Sequence, residues 1–311
     1  MHDLDKPDFI VLVGLPASGK STFASELAGN YTQFGYPCVV HSSDAIRKEL
    51  WGSEEDQQHP EIVFEEMRQR TRKSLSEEVS VVYDATNLSR KRRVGLLQDL
   101  GKSFEGKKIC VVVLARPEEI LRRNSARERH VPEDVIHRML LSYQPPCFGE
   151  GFDEIHYVIE DETDGYCRSL LERMQGFDQE NKHHTLDLFE HCRKVQEYVD
   201  KKTAGLDDVL HLAAFIHDVG KLYTKTYKKA NGEEDGDAHY YSHQNVSAYL
   251  AGFFYAVGDS DLAKERLTNL VYHHMDPYFN HGEDFSKLGR FHDEKFIEDI
   301  KLLHEADVQA H

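Results

Sequence analysis

The sequence predicts an α/β domain built on a parallel sheet with helices on both faces, followed by an all-α domain, and three observations carry that reading. Between residues 8 and 160, nearly continuous β-rich apolar runs alternate with polar or helical sequence, the pattern of strands buried on both faces. Beyond about residue 178 the apolar residues recur at helical spacing instead. The 311 residues suffice for two cores, and composition divides the same way. Residues 1–150 hold 21 Lys+Arg and 23 Asp+Glu, whereas the remainder holds 17 and 32 and carries most of the net charge of −17. Of 19 histidines, 13 lie between His183 and His311. The expected boundaries are 1–162 for the first domain, 163–177 for a linker and 178–311 for the second domain.

The strands expected in order are DFIVLVG, PCVVHSS, VSVVYDATN, KKICVVVLA and EIHYVIE. A parallel sheet places its binding crevice at the C-terminal strand ends, and four polar clusters fall there. The first is GLPASGKST, which fills GxxxxGK[ST] with Gly14, Gly19, Lys20 and Ser21, followed by Thr22. Glycines let backbone N–H groups turn inward around phosphates, and the helix N-terminus adds positive potential. Lys20 reaches the terminal phosphates and the Ser21 hydroxyl ligates magnesium. ATP with Mg²⁺ is the expected cofactor.

The second cluster, SSDAIR, sets Asp44 and Arg47 three apart, on one face if a helix begins there. A carboxylate here could take a proton from an attacking hydroxyl and the arginine hold a phosphate, or Ser43 and Asp44 could simply cap the helix. In the third, YDATN, Asp84 ends a strand and either sits near magnesium or caps the next turn. The fourth, RRNSARERHVPEDVI, spaces Arg123 and Arg127 one helical turn apart with Arg122 and Arg129 close by, which suits a lid over triphosphate charge. The separate RKRR at 90–93 reads as a solvated face.

These motifs, in this order, resemble the P-loop polynucleotide 5′-kinases of the phage RNA-repair type over residues 8–140. The resemblance implies transfer of the ATP γ-phosphate to a 5′-hydroxyl end of RNA or DNA. It makes Asp44 the general base, Arg47 the clamp on the neighbouring substrate phosphate, and Arg123 and Arg127 the lid arginines. The run RNSAR followed by VPEDVI is its most specific part. Without it, a kinase for a small hydroxyl-bearing molecule fits equally well.

After PPCFGEGFDEI, helices are expected at CRKVQEYV, DDVLHLAAFI, NVSAYLAGFFYAV, AKERLTNLVYHH and KFIEDIKLLHEADV, separated by turn-rich segments such as YKKANGEEDGDA. His184 and His191 are two turns apart. His217 and Asp218 end an apolar helix, where two buried polar groups need compensation that a metal supplies. This arrangement resembles the HD phosphohydrolase superfamily over residues 178–311. The resemblance makes His191, His217, Asp218 and Asp307 the first metal site and adds His243 and His273 for a second metal, with His274 able to replace His273. It turns His184 and Lys221 toward the phosphate. Nitrogen and oxygen donors admit Mn, Ni, Co, Fe or Mg.

Cys38, Cys110, Cys147, Cys167 and Cys192 show no close CxxC pair, so neither a disulfide framework nor a thiolate zinc site is expected. No apolar run approaches eighteen residues and MHDLDKPDFI does not resemble a signal peptide, so a cytoplasmic protein without a membrane span is expected. Together the resemblances imply an end-healing enzyme: a 5′-kinase and a remover of 3′-phosphate or 2′,3′-cyclic phosphate, acting on RNA or DNA ends for a separate ligase. Acting only on ends needs few phosphate contacts, which reconciles a nucleic-acid partner with net acidity. The alternatives are a small-molecule or nucleoside kinase fused to a nucleotide phosphohydrolase, and an HD regulator that senses ATP.

Overall fold

Phe9–Val13 is buried along its whole length, as a strand in the middle of a sheet covered on both faces must be. The computed structural model describes residues 6–53, 59–101, 104–159, 163–180, 186–255, 260–279 and 285–310. They fall into two units, Met1–Ile136 with Glu150–Glu160, and His137–Gly149 with Asp161–His311. The first unit runs β1 (Phe9–Val13), α1 (Lys20–Gln33), β2 (Cys38–Ser42), α2 (Ser43–Trp51), α3 (Pro60–Ser76), β3 (Ser80–Asp84), α4 (Arg90–Asp99), β4 (Lys108–Leu114), α5 (Pro117–Ser125), the start of α6 (Glu133–Leu141) and β5 (Glu154–Ile159).

All five strands are parallel, in the order β2-β3-β1-β4-β5. The chain passes from β1 to the edge strand β2, returns to β3 beside β1 and then crosses to β4 on the other side, so β1 lies at the switch point. The loop leaving its C-terminal end therefore opens into the sheet's binding crevice. Ile10, Leu12, Val82, Val111 and Val113 pack with Ala24 of α1 on one face of the sheet. Asn87, of YDATN, is buried and donates from Nδ2 to the Leu12 carbonyl at 2.7 Å, fastening the end of β3 to β1.

RKRR is only partly the solvated face expected from its charge. The Arg93 side chain is fully buried and reaches Glu150 through Nε at 2.7 Å and Nη2 at 2.6 Å, while Nη1 donates to the Asn87 and Leu88 carbonyls. The periodicity of a short basic run does not reveal a carboxylate 57 positions away. Arg93→Met should destabilise the first unit by about 3–5 kcal/mol because Glu150 keeps its buried charge. Adding Glu150→Gln should restore part of that loss, as read from urea unfolding midpoints.

The second unit contains the rest of α6, α7 (Asp164–Met174), α8 (Leu188–Thr203), α9 (Asp208–Ile216), α10 (Lys221–Thr224), β6 (Thr226–Lys228), β7 (Glu234–His239), α11 (His243–Ala251), α12 (Asp261–His273), α13 (Asp276–Phe279) and α14 (Glu294–Gln309). Residues expected as a linker at 163–177 thus carry α7. The turn-rich segment forms an antiparallel hairpin, β6 with β7, closed by a turn over Lys229–Gly232 in which the Gly232 N–H donates to the Lys229 carbonyl at 2.8 Å and Gly232 has φ 87°. A turn ending in a left-handed glycine is a common way to close a hairpin.

Asp187, Asp207, Ser260 and Asp293 cap α8, α9, α12 and α14 with side-chain acceptors, each satisfying an otherwise orphaned N–H. Arg266 joins Asp207 at 2.6 Å to Asp299 at 2.7 Å, tying α12 to the start of α9 and to α14. Among the described residues no helix is long and apolar enough to cross a membrane.

Candidate functional site

Each unit gathers its own set of polar side chains. In the first, the chain turns from β1 into α1 through residues 14–19. A Cβ on Gly14 would stand 2.5 Å from the Val113 carbonyl oxygen, so only glycine fits against β4. Gly19 caps α1 with φ 99°. Lys20 folds back over the loop, donating from Nζ to the Leu15 carbonyl at 2.6 Å. Ser21 Oγ donates to Asp84 Oδ2 at 2.8 Å. Asp84 is buried at the end of β3 and faces the loop, rather than capping the turn that follows. Thr22 is exposed on the first turn of α1.

Asp44 does not cap α2. Ser42 holds that position without a side-chain cap, and the half-exposed Asp44 carboxylate accepts from Arg47 Nη1 at 2.5 Å and lies 3.7 Å from Arg129 Nη1. Arg47 is buried, and its Nε has no hydrogen-bond partner. The arginine run divides: Arg123 donates to Glu119 at 2.6 Å, while the Arg127 charge acts on Lys20. Asn124 shapes the loop that carries Arg127 and Arg129, donating to the Val131 carbonyl and accepting from its N–H. Arg129, a mere neighbour of the aligned pair by sequence, is the member of the run that reaches Asp44, and its spacing two residues beyond Arg127 is the signal for it.

Burial lowers the Lys20 pKa from 10.5 to about 8, with the Arg127 charge adding to burial and Asp84 and Asp44 opposing it. The folded value lies below the ordinary one, so the buried ammonium disfavours the folded protein below about pH 8. That penalty fades as pH rises toward 10.5. A polyphosphate beside Lys20 favours the charged form. ATP binding at pH 9 should therefore take up close to one proton, and affinity should weaken above about pH 8. Calorimetry in buffers of different ionisation enthalpy reads the uptake, which Lys20→Met should abolish.

In the second unit the residues converge on Asp218. His191, on the first turn of α8, places Nε2 3.0 Å from Asp307 Oδ1 and 3.6 Å from Asp218 Oδ2. His217 Nε2 is 3.4 Å from the same Asp218 oxygen. Across the carboxylate, His243 Nε2 and His274 Nε2 stand 3.1 and 3.6 Å from Oδ1 and 3.2 Å from each other. Lys221 Nζ pairs with Asp218 Oδ2 at 2.7 Å and donates to Gln179 Oε1 at 2.8 Å. Tyr278 donates to Asp307 Oδ2 at 2.8 Å.

Gly220, of HDVGK, gives its N–H to Ser247 Oγ, and a Cβ there would lie 2.3 Å from the His243 carbonyl oxygen. That close approach lets α11 bring His243 to Asp218. His184 lies outside the described residues. His273 is a correction: its Nδ1 pairs with Asp276 at 2.7 Å and its ring packs on His292 and Phe296, so its neighbour His274 completes the cluster. Adjacent residues at the end of a helix point about 100° apart, so only one of the two can reach Asp218.

The donors suit divalent cations. His217, His243 and His274 each bond through Nδ1 to a backbone carbonyl, of Ala214, Tyr240 and Val271. A carbonyl only accepts, so Nδ1 carries the hydrogen and Nε2 offers a lone pair inward. Two such lone pairs facing each other at 3.2 Å need a positive charge beside them, and the fully buried His217 Nε2 has no hydrogen-bond partner. Burial works against the Asp218 charge, but the Lys221 ammonium beside it outweighs burial and holds the carboxyl well below its usual range. Among the described residues the donors form two triads, His191–His217–Asp218 and Asp218–His243–His274, sharing one carboxylate. That is a pattern for two ions. His274→Ala should lower the metal held by this cage by about one equivalent per chain while His273→Ala leaves both cage ions in place, measured by elemental analysis of manganese-loaded protein after dialysis.

Residues 9–146 match the family model described as an AAA domain, and residues 184–308 match the model described as an HD domain. The chain joins an AAA domain to an HD domain. The AAA domain has the P-loop kinase fold expected from the sequence, and the HD domain is helical as expected. The chain is 24% identical over 139 residues to an L-seryl-tRNA(Sec) kinase of Methanococcus maripaludis, covering 44% of this chain and 52% of that one. It thus spans about half the length of the curated relative it matches. A chain of the Pnkp1/Rnl/Hen1 RNA repair complex is similar with 22% identity, covering 46% of this chain and 44% of that one at a TM-score of 0.37. A gluconokinase of Sinorhizobium meliloti 1021 is similar with 18% identity, covering 50% and 84% at a TM-score of 0.35.

Proposed function

We propose that the protein heals nucleic-acid ends: the AAA domain phosphorylates a 5′-hydroxyl from ATP and the HD domain removes a 3′-phosphate, or a 2′,3′-cyclic phosphate by first opening it to a monoester and then hydrolysing that monoester. The observation that carries the kinase half is Asp44 standing half-exposed between Arg47 and Arg129 at the crevice that also holds Lys20 and the Ser21–Asp84 pair. In this reading the 5′-oxygen attacks the γ-phosphorus, its proton passes to Asp44, and the bond to the ADP oxygen breaks. Lys20 and Arg127 hold the charge of the phosphates, and Arg47 holds the nucleotide phosphate next to the attacked end. Ser21 and Asp84 would hold Mg²⁺.

For the hydrolase half the support is the carboxylate shared by two ligand sets. His191, His217, Asp218 and Asp307 would hold one cation and Asp218, His243 and His274 the other. Bound there, the ions would activate water and stabilise phosphoryl charge. Lys221, anchored by Asp218 and Gln179, orients the scissile phosphate. The products, a 5′-phosphate and a 3′-hydroxyl, are the ends an ATP-dependent ligase joins, so the reading includes a ligase partner.

The test is a short RNA with a 5′-hydroxyl and a 2′,3′-cyclic phosphate, incubated with ATP, magnesium and manganese, with each end analysed separately. Lys20→Ala should lose only the 5′ reaction and Asp218→Ala only the 3′ reaction. No change at either end with the wild-type chain would overturn the reading. The similarity to an L-seryl-tRNA(Sec) kinase supports a second acceptor for the kinase site, a hydroxyl other than a polynucleotide 5′ end. ATP consumption stimulated by such an acceptor and not by the oligonucleotide would favour it.

A further inference from the structure

We propose a third cation site, for zinc, held by Cys147, Glu265 and His292 within the second unit and separate from the histidine–aspartate cage. Donor atoms of these three residues lie within 4.8 Å of one another, and Cys147 and Glu265 are buried. In a tetrahedral zinc site with bonds of about 2.0–2.3 Å, neighbouring donors stand roughly 3.3–3.8 Å apart. Only a small closing movement separates the observed arrangement from a bound one.

Each donor is held in place by interactions of its own. The segment leading into Cys147 is held by three hydrogen bonds. Asn245 donates to the Tyr143 carbonyl at 2.9 Å, Gln144 to the Tyr272 hydroxyl at 3.0 Å, and Asn269 to the Pro146 carbonyl at 2.9 Å. Glu265 is one turn before Asn269 on α12, so the helix face that grips the segment also presents the carboxylate. The His292 ring stacks on Phe296 at 4.0 Å and meets the edge of His273 at 5.2 Å. The His273–His274 pair thereby serves two places: His274 joins the cage and His273 positions the His292 ring.

A sulfur donor with one imidazole and one carboxylate selects a borderline cation such as zinc over magnesium or calcium. A dication also compensates the burial of a carboxylate, which is costly alone. Three protein donors leave one tetrahedral position for water. The bound ion would clasp residues 143–149 to α12 and to the turn before α14.

Cobalt distinguishes this site from the cage, which has only nitrogen and oxygen donors. The full-length protein would be stripped with a chelator and titrated with Co²⁺. The expected result is a near-ultraviolet thiolate-to-cobalt charge-transfer band, and one equivalent of bound metal, both lost in Cys147→Ser. Glu265→Gln and His292→Ala should weaken cobalt binding at this site by about 10-fold or more, and they serve if the serine variant does not fold. Cys192, the thiol beside His217, is the control: Cys192→Ser must keep the band. A band that survives Cys147→Ser, or no band in the wild type with every bound ion accounted for by the cage, would overturn the proposal and leave these side chains as a hydrogen-bonded cluster.

Discussion

Asp218→Asn should reduce hydrolysis of a 3′-phosphorylated or cyclic end by at least about 10²–10³-fold while leaving ATP-dependent transfer to a 5′-hydroxyl within about twofold. Both carboxylate oxygens are engaged, Oδ1 toward His243 and His274 and Oδ2 toward His191, His217 and Lys221. Asparagine keeps the shape but supplies neither the charge for two ion sites nor a counter-charge for buried Lys221. Bound metal should fall with the activity, and a dose series in manganese should not restore it. Hydrolysis that persists at the wild-type rate would show that the shared carboxylate does not organise the chemistry. Measuring both ends of one RNA shows that the kinase unit is intact, and the cooperativity of thermal unfolding of the variant separates loss of the site from loss of the helical unit's fold.

The second large effect is expected at Asp44. Asp44→Asn should cut phosphate transfer about 10²–10⁴-fold, the range attributed to a positioned general base, with nucleotide affinity close to that of the wild type. The carboxylate lies near the nucleotide loop, but its direct contacts are with Arg47 and Arg129. On the proposed reading, in which the guanidinium beside Asp44 helps to hold the acceptor, Arg129→Ala should raise KM for the oligonucleotide more than it lowers kcat. If Asp44→Asn instead transferred phosphate at the wild-type rate, the base would lie elsewhere. If the wild type bound ATP and never transferred it, the regulatory alternative would take over.

The short-range parts of this protein are legible in its sequence. GLPASGKST specifies a phosphate loop because its glycines and lysine act within a few residues of one another, and the β-branched runs specify a parallel sheet because both faces must be apolar. The adjacent His217 and Asp218 announce a buried polar centre for the same local reason. What could not be read this way depends on partners far along the chain. RKRR looks like a solvated face until Glu150 is brought to Arg93. His273 and His274 are equivalent by composition, and the angle at the end of α12 separates them. Arg123 and Arg127 share a spacing, but Glu119 claims the first.

The grouping of residues 137–149 with the helical unit is of this kind too, and with it the meeting of Cys147, Glu265 and His292. Periodicity and local motifs reflect the free energy of placing a residue on a face or in a turn, so the chain alone determined its elements, its phosphate loop and most members of the cage. Which charged or ligating side chains meet is decided by contacts between residues distant along the chain, 57 positions apart for Arg93 and Glu150, whose energy exists only once the core has packed, and only the tertiary structure could decide it.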